Sequence, residues 1–259
     1  MTREDRATPR LLAEFRAAFA PWLFEPEEGA CPPGFHMGLG PPTPGMDDTG
    51  PDGAERKGVF LPPIPLPRRM WAGGSIETFR PLTGDALVTR TSRLADIRTK
   101  QGASGEMCLV SILHEFADTE GVAIAERQDL VFRAASGAVP PAGPSQHIEA
   151  DWSIAATPLL LFRFSAFTFN GHRIHYDLAH AEEEGYPGLL VQGALQAVLM
   201  LNLASRKLGH VPRRFDYRCL APLFAPATFG VACDQETARV IRADGVTTAE
   251  GQAHAQGTG

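Results

Sequence analysis

The stretch from Gly188 to Leu208 reads GLLVQGALQAVLMLNLASRKL. It is apolar nearly all round, the pattern of a helix buried on most of its sides. Gln192, Gln196 and Asn202 interrupt it, so it is not the run of about 18 apolar residues that a lipid span requires. Its flanks supply strands that could cover it. Arg214–Leu220, Thr228–Gln235 and Ala238–Ala243 follow, and a hairpin at Asp244-Gly245 leads into Val246–Ala253. Upstream, TPLLLFRFSAFTFN, Thr157 to Asn170, reads as a strand whose end becomes GHRIHYD. A buried helix wrapped by a curved antiparallel sheet is an α+β arrangement.

Further out, the texture is again β. Ile76–Phe79, Ala86–Lys100, Glu106–Asp118 and Val122–Ala134 carry β-branched or alternating residues. Gly84-Asp85, Gln101 to Gly105 and Asp118 to Gly121 supply turns between them. No central helix is visible in this half. SGAVPPAGPSQ, residues 136–146, has linker composition. Glu25 to Pro67 holds too many prolines and glycines for regular helix or a central strand. Its apolar residues predict a course along the surface of the fold, with a mobile acidic tip at Asp47 and Asp48. Leu11 to Phe24 shows helical spacing at Leu11, Phe15, Phe19 and Trp22, and predicts an amphipathic helix docked on the body. The expected organisation is therefore an N-terminal helix and irregular segment (1–67), a first β half (68–135), a linker (136–146) and a second half (147–259).

Composition narrows the function classes. The 259 residues include 24 Lys plus Arg and 30 Asp plus Glu, for a net charge of −6. That balance disfavours non-specific nucleic-acid binding, which needs a basic face. With 44% hydrophobic residues the chain can bury a core. The charged N-terminus, MTREDRATPR, lacks the apolar core of a secretory signal. Cys31, Cys108, Cys219 and Cys233 are widely spaced and form no CxxC pair. They read as free thiols, and the chain as cytoplasmic, with no membrane or nucleic-acid partner and no metal.

The chemistry concentrates in FSAFTFNGHRIHYDLAHAEEEGYPGLLVQGAL, Phe164 to Leu195. Here the sequence resembles the MaoC-type hydratases and dehydratases, which have the hotdog fold and a DxNPxH signature. Asn170 stands in the place of the Asp, His172 in that of the Asn, and His175 matches the His. The family's HGxL at the start of its central helix appears here as LLVQGAL, in which Gly193 matches the glycine and Gln192 replaces the usual histidine. FLPPIPLPRRMWAGG, Phe60 to Gly74, is similar to the opening of a subfamily with an asymmetric double hotdog in one chain. That subfamily includes mesaconyl-CoA and itaconyl-CoA hydratases and a mitochondrial 3-hydroxyacyl-thioester dehydratase. The resemblance spans roughly residues 58 to 255.

It implies a double hotdog and a hydro-lyase acting on an enoyl or 3-hydroxyacyl thioester. Coenzyme A would be part of the substrate, with no separate cofactor. It leaves room for a homo-oligomer and for acyl-carrier-protein substrates. Such hydration needs a positioned, deprotonated water, a proton for the α-carbon, and stabilisation of the enolate-like thioester oxygen. His175 can serve as acid and base, Asn170 can hold the water, and the N–H of Gly193 can meet the oxyanion. His172 reads as an orienting residue, and Gln192 as a substrate contact or a helix cap. Arg173 could meet a substrate carboxylate. Within the run Arg206, Lys207, Arg213, Arg214 and Arg218, Arg214 and Arg218 are candidates for coenzyme A phosphates. An amide cannot act as a base, so Asn170 leaves proton transfer to His175 or to another acid, with Asp177 the local candidate. A non-catalytic acyl-thioester binder and a hotdog thioesterase are the alternatives on the same fold. The first half, with no matching motif, is expected to shape the acyl tunnel.

Overall fold

Strand β1, Thr2–Arg6, runs along an outer edge, and helix α1, Pro9–Phe19, follows it. Four strands come next: β2 (Arg68–Thr78), β3 (Leu87–Gly102), β4 (Gly105–Asp118) and β5 (Gly121–Arg133). The second half repeats the order with β6 (Trp152–Ala156), α2 (Pro158–Phe167), the short helix α3 (Leu178–Glu183), β7 (Leu189–Leu190) and α4 (Gly193–Leu208). It ends with β8 (Arg214–Cys219), β9 (Phe224–Ala225), β10 (Ala227–Asp234), β11 (Thr237–Arg242) and β12 (Thr247–His254). This computed structural model describes residues 1–102, 105–134 and 137–254. Residues 103–104 of the expected turn, and 136 of the expected linker, lie outside them.

Ten strands form one sheet in the order β1-β3-β4-β5-β2-β8-β12-β11-β10-β6. Read outward from the centre, the two sides are equivalent. From β2 the chain order is β5, β4, β3, β1; from β8 it is β12, β11, β10, β6. The seam is antiparallel and pairs Gly73–Glu77 with Arg214–Arg218. Two hotdog-like halves thus share one continuous sheet.

Helix α4 explains why the second half closes. Every residue from Ala194 to Ser205 is buried, so each side of the helix needs cover. Strands β2, β8, β12, β11 and β10 provide it on one side. On the other, Asn202 accepts from the Phe24 N–H (2.9 Å) and donates to the Pro33 carbonyl (2.9 Å). These bonds tie the N-terminal segment to the helix. Phe15, Phe19, Phe35, Phe164 and Phe167 pack together, with Phe15 and Phe167 4.8 Å apart and Phe19 and Phe164 5.8 Å apart. Burying each such side chain contributes about 1.5–3 kcal/mol.

The expected strand over Thr157–Asn170 is instead helix α2. The Thr157 hydroxyl accepts from the Leu160 N–H, and Pro158 occupies the first turn. These are helix-start signals. Leu160, Leu161, Phe164 and Phe167 then fall on one buried helical side. The N-terminal helix ends at Phe19, before Pro21, because a residue preceding proline is pushed out of helical geometry. The acidic tip is folded rather than loose. The Arg56 N–H donates to the Asp48 carbonyl (2.7 Å), its guanidinium pairs with the Asp48 carboxylate (3.1 Å), and Thr49 bridges to Glu55.

In the first half, among the described residues, no helix takes the place of α4. The FLPPIPLP segment lies there instead. Leu61, Ile64 and Leu66 pack on Cys108, Val110, Ile112, Leu130 and Phe132 of β4 and β5. An extended segment fills less space than a helix, and a cavity of about 1290 Å³ remains.

Candidate active site

The cavity is walled by both halves. From the second come Asn170, Gly171, His172, His175, Gln192, Gly193 and Cys219; from the first, Arg69, Trp71, Arg90, Ser92, His114, Glu126, Gln128 and Leu130.

His175 sits in a single helical turn, Arg173–His175, and is buried. Its Nδ1 lies 2.6 Å from the Leu190 carbonyl oxygen. A carbonyl only accepts, so Nδ1 carries the hydrogen and Nε2 holds the free lone pair. Burial pushes the imidazole down to about 4, against a smaller upward pull from the Leu190 bond. His175 is therefore neutral at pH 7, with a basic nitrogen available. Leu190 lies three residues before Gly193, so one short segment fixes the imidazole and leads into the helix start.

Gly193 is the first residue of α4. Its N–H has no intrahelical acceptor and sits at the positive end of the helix. A Cβ here would come within 2.8 Å of Cys219 Sγ and 3.1 Å of Trp71 Cδ1. The close approach of α4 to β2 and β8 thus already requires the glycine. Gln192 is buried, and its Nε2 donates to the Leu161 carbonyl and the Ser165 hydroxyl, both at 3.0 Å. It ties α4 to α2 and makes no side-chain cap. Its Oε1 has no partner among the described residues, leaving an acceptor in a residue of the cavity wall.

Asn170 folds its own loop. Its Oδ1 accepts from the His172 N–H at 3.1 Å, the local turn typical of Asn. That leaves its amide NH₂ as the group available to a ligand. The His172 and His175 rings meet edge-on with centroids 5.5 Å apart. Burial first, then His175 and Arg69, hold His172 well below the usual histidine range. Asp52 Oδ2 lies 3.8 Å from His172 Nε2.

Four other candidates lie apart from the cavity. Arg173 donates to Asp177 (2.7 Å) and to the Pro51 carbonyl (3.1 Å). Arg214 binds Asp216 (2.9 Å) and Glu77 (3.2 Å), while Arg218 binds Glu250 (3.3 Å). Asp177 caps α3 by accepting from the His180 N–H and pairs with Arg173. It is a structural carboxylate rather than a proton donor to the site.

The sequence of the motif alone does not reveal the part played by Pro51–Ala54. The Arg173 N–H donates to the Asp52 carbonyl at 2.8 Å. A Cβ on Gly53 would lie 2.1 Å from the Gly171 oxygen. The irregular segment is therefore pressed backbone to backbone against the loop that carries Asn170, His172 and His175. The polar end of the first half was equally hidden. His114 bonds Ser92 Oγ (2.7 Å) and Gln128 Oε1 (3.1 Å). Burial, then Arg90, pushes its imidazole down to about 4. Burial opposes ionisation of Glu126, but His36, His114 and Arg90 outweigh it and hold the carboxyl below its ordinary value.

Comparison with known proteins places this geometry. Residues 34–225 match the family model for hydroxyacyl-thioester dehydratase type 2. The chain belongs to that family. It is 39% identical over 229 residues to the mesaconyl-C(4)-CoA hydratase of Chloroflexus aurantiacus, covering 84% of this chain and 81% of that protein. HtdX of Mycobacterium tuberculosis superimposes with a TM-score of 0.70 at 16% identity, over 98% of this chain and 99% of that one. A second M. tuberculosis protein, described as a double hotdog, gives 0.56 at 12% identity, over 98% and 94%. These two show a shared fold. The family and the curated relative together make this type 2 dehydratase a hydro-lyase. Among its described residues, no cluster of three or more His, Cys, Asp or Glu could hold a metal ion, and no helix is long and apolar enough to cross a membrane.

Proposed function

We propose that this hydro-lyase reversibly hydrates an enoyl thioester of coenzyme A, of the mesaconyl type, with His175, Gly193 and Asn170 as the working groups. The observation that carries the reading is the 2.6 Å bond from His175 Nδ1 to the Leu190 carbonyl. It points the basic Nε2 away from that anchor and joins the imidazole to the segment that starts α4.

In the hydration direction, Nε2 takes a proton from a water held by the Asn170 amide. The hydroxyl adds to the β-carbon, and the double-bond electrons move toward the thioester. The enolate-like oxygen is met by the Gly193 N–H at the helix start, where fixed dipoles need no reorganisation. The imidazolium then returns its proton to the α-carbon. One water is consumed and His175 ends neutral. Asn170 works as a donor and holder rather than as a base, so all proton transfer falls to the imidazole.

The mesaconyl assignment rests on the 39% identity to the Chloroflexus hydratase, and the cavity chemistry agrees with it. Arg3, Arg69, Arg90 and Arg133 line the cavity, against Glu55 and Glu126. A chamber for a plain alkyl chain has no use for that excess of cations, whereas a carboxylated acyl group does.

Mesaconyl-C(4)-CoA incubated with the protein should lose its conjugated absorbance with no release of thiol. Thiol release would establish a thioesterase instead, and neither signal would leave a binding protein.

A further inference from the structure

From the geometry of β2 we propose that Arg69 binds a carboxylate on the substrate's β-carbon, which makes it the residue that selects dicarboxylic enoyl thioesters. This inference rests on the hydratase reading and deepens it.

Arg69 lies on the cavity wall, two residues before Trp71. Residues i and i+2 of a strand share a face and stand about 7 Å apart. Trp71 is the side chain against which Gly193 packs, so it marks the proposed oxyanion end. Arg69 marks the imidazole end, because its Nη2 lies 4.0 Å from the same Asp52 Oδ2 that is 3.8 Å from His172 Nε2. A trans four-carbon diacid holds its two carbonyl carbons roughly 4 Å apart by ordinary bond lengths, with the outer oxygens further out. A thioester oxygen at Gly193 and a carboxylate at Arg69 fit that span.

The guanidinium is incompletely satisfied. Nη2 donates to the Glu55 carbonyl at 2.9 Å, and one face lies over the Phe132 ring at 5.7 Å. Nε is buried without a hydrogen-bond partner among the described residues. Burial pulls its pKa down, and neither Asp52 nor Glu55 offsets that. A largely buried cation whose nearest carboxylate, Asp52, stands 4.0 Å away is stabilised by an incoming anion. Arg173, the cation suggested by its place in the motif, already spends its donors on Asp177 and Pro51.

The test compares two substrates that differ at this group, mesaconyl-C(4)-CoA and crotonyl-CoA. Arg69→Gln should lower the ratio of their kcat/KM values by about 10- to 100-fold, the worth of one charge-assisted contact. Arg69→Lys should recover part of the ratio, and Arg173→Gln should leave it in place. A folding defect in Arg69→Gln would depress both substrates together and leave the ratio unchanged, which would overturn the assignment. A ratio moved by Arg173→Gln, or by Arg90→Gln, but not by Arg69→Gln would overturn it as well. Hydration of crotonyl-CoA without mesaconyl-C(4)-CoA by the parent enzyme would remove the carboxylate site and leave the hydratase reading standing. Hydration of neither would remove both.

Discussion

The two halves of the sheet have the same strand order but opposite interiors. In the second half, α4 is packed on every side, and twelve consecutive residues are buried. In the first, a proline-rich segment rests on β4 and β5 and leaves open space beside Arg90, Ser92, His114 and Glu126. One interior supplies a rigid platform that starts a helix beside an imidazole. The other supplies volume and polar walls. The lesson is a division of labour: the half that kept its helix positions the proposed chemistry, and the half without one makes room for the acyl group.

The sharpest way to break this comparison is His175→Ala. If the second half holds the only acid–base group, turnover should fall by about 10²–10⁴-fold in a folded protein. Near-normal turnover would move the chemistry to the polar end of the first half. Gly193→Val comes next. Its side chain would strike Cys219 and Trp71, shifting the helix start off its donor position, and the loss of one oxyanion donor costs about 10²–10³-fold. A normal rate with an unchanged melting temperature would end the oxyanion role for that N–H.

How far sequence reading reached follows the same division. The second half's residues Asn170, His172, His175, Gln192 and Gly193 lie within 24 consecutive positions, so a local motif could point to them together. The structure brings all five to one cavity. Arg69 and the Pro51–Ala54 segment meet that loop from more than a hundred residues away, and no local pattern signals such a contact. Strands β3, β4, β5, β10, β11 and β12 were visible in alternation and turn residues. Strand β1 was not, because TREDR is wholly polar and lies on a sheet edge, where no hydrophobic period is needed. Helix α2 is not legible as a helix from periodicity, because its apolar run hides the period. The Thr157-Pro158 start signal was present and outweighs β propensity once the cap forms.

A stability measurement probes the packing contrast directly. Leu199→Ala removes a buried side chain from α4, and the surrounding shell can relax only partly. The cost should be about 2–5 kcal/mol by chemical denaturation. Leu61→Ala, also buried but already on the wall of the cavity, enlarges a space that exists. Its cost should stay below about 2 kcal/mol, since little new void is created. Equal losses at the two positions would mean that the first half is as tightly packed as the second.

The smallest effect, and the most diagnostic for mechanism, is a shift in pH dependence at Asn170. Burial holds His175 at about 4, so the acid limb of kcat/KM should lie near that pH rather than near the usual 6.5 of histidine. Asn170→Ala removes the acceptor for the His172 N–H and the donor proposed for water. The rate should fall while the limb stays in place, because the charge around His175 is unchanged. Asn170→Asp can still accept the His172 N–H, but it adds a carboxylate near the imidazole. A nearby negative charge stabilises imidazolium, so the His175 pKa rises and the acid limb moves to higher pH. At pH values between the old limb and the new one, the variant should lose activity relative to the parent; well above both, that loss should vanish. A limb that stays near 4 in Asn170→Asp would place the new carboxylate out of electrical reach of His175. A limb and rate both unchanged in Asn170→Ala would reduce Asn170 to a turn residue, and His175 would work with a water held by some other group.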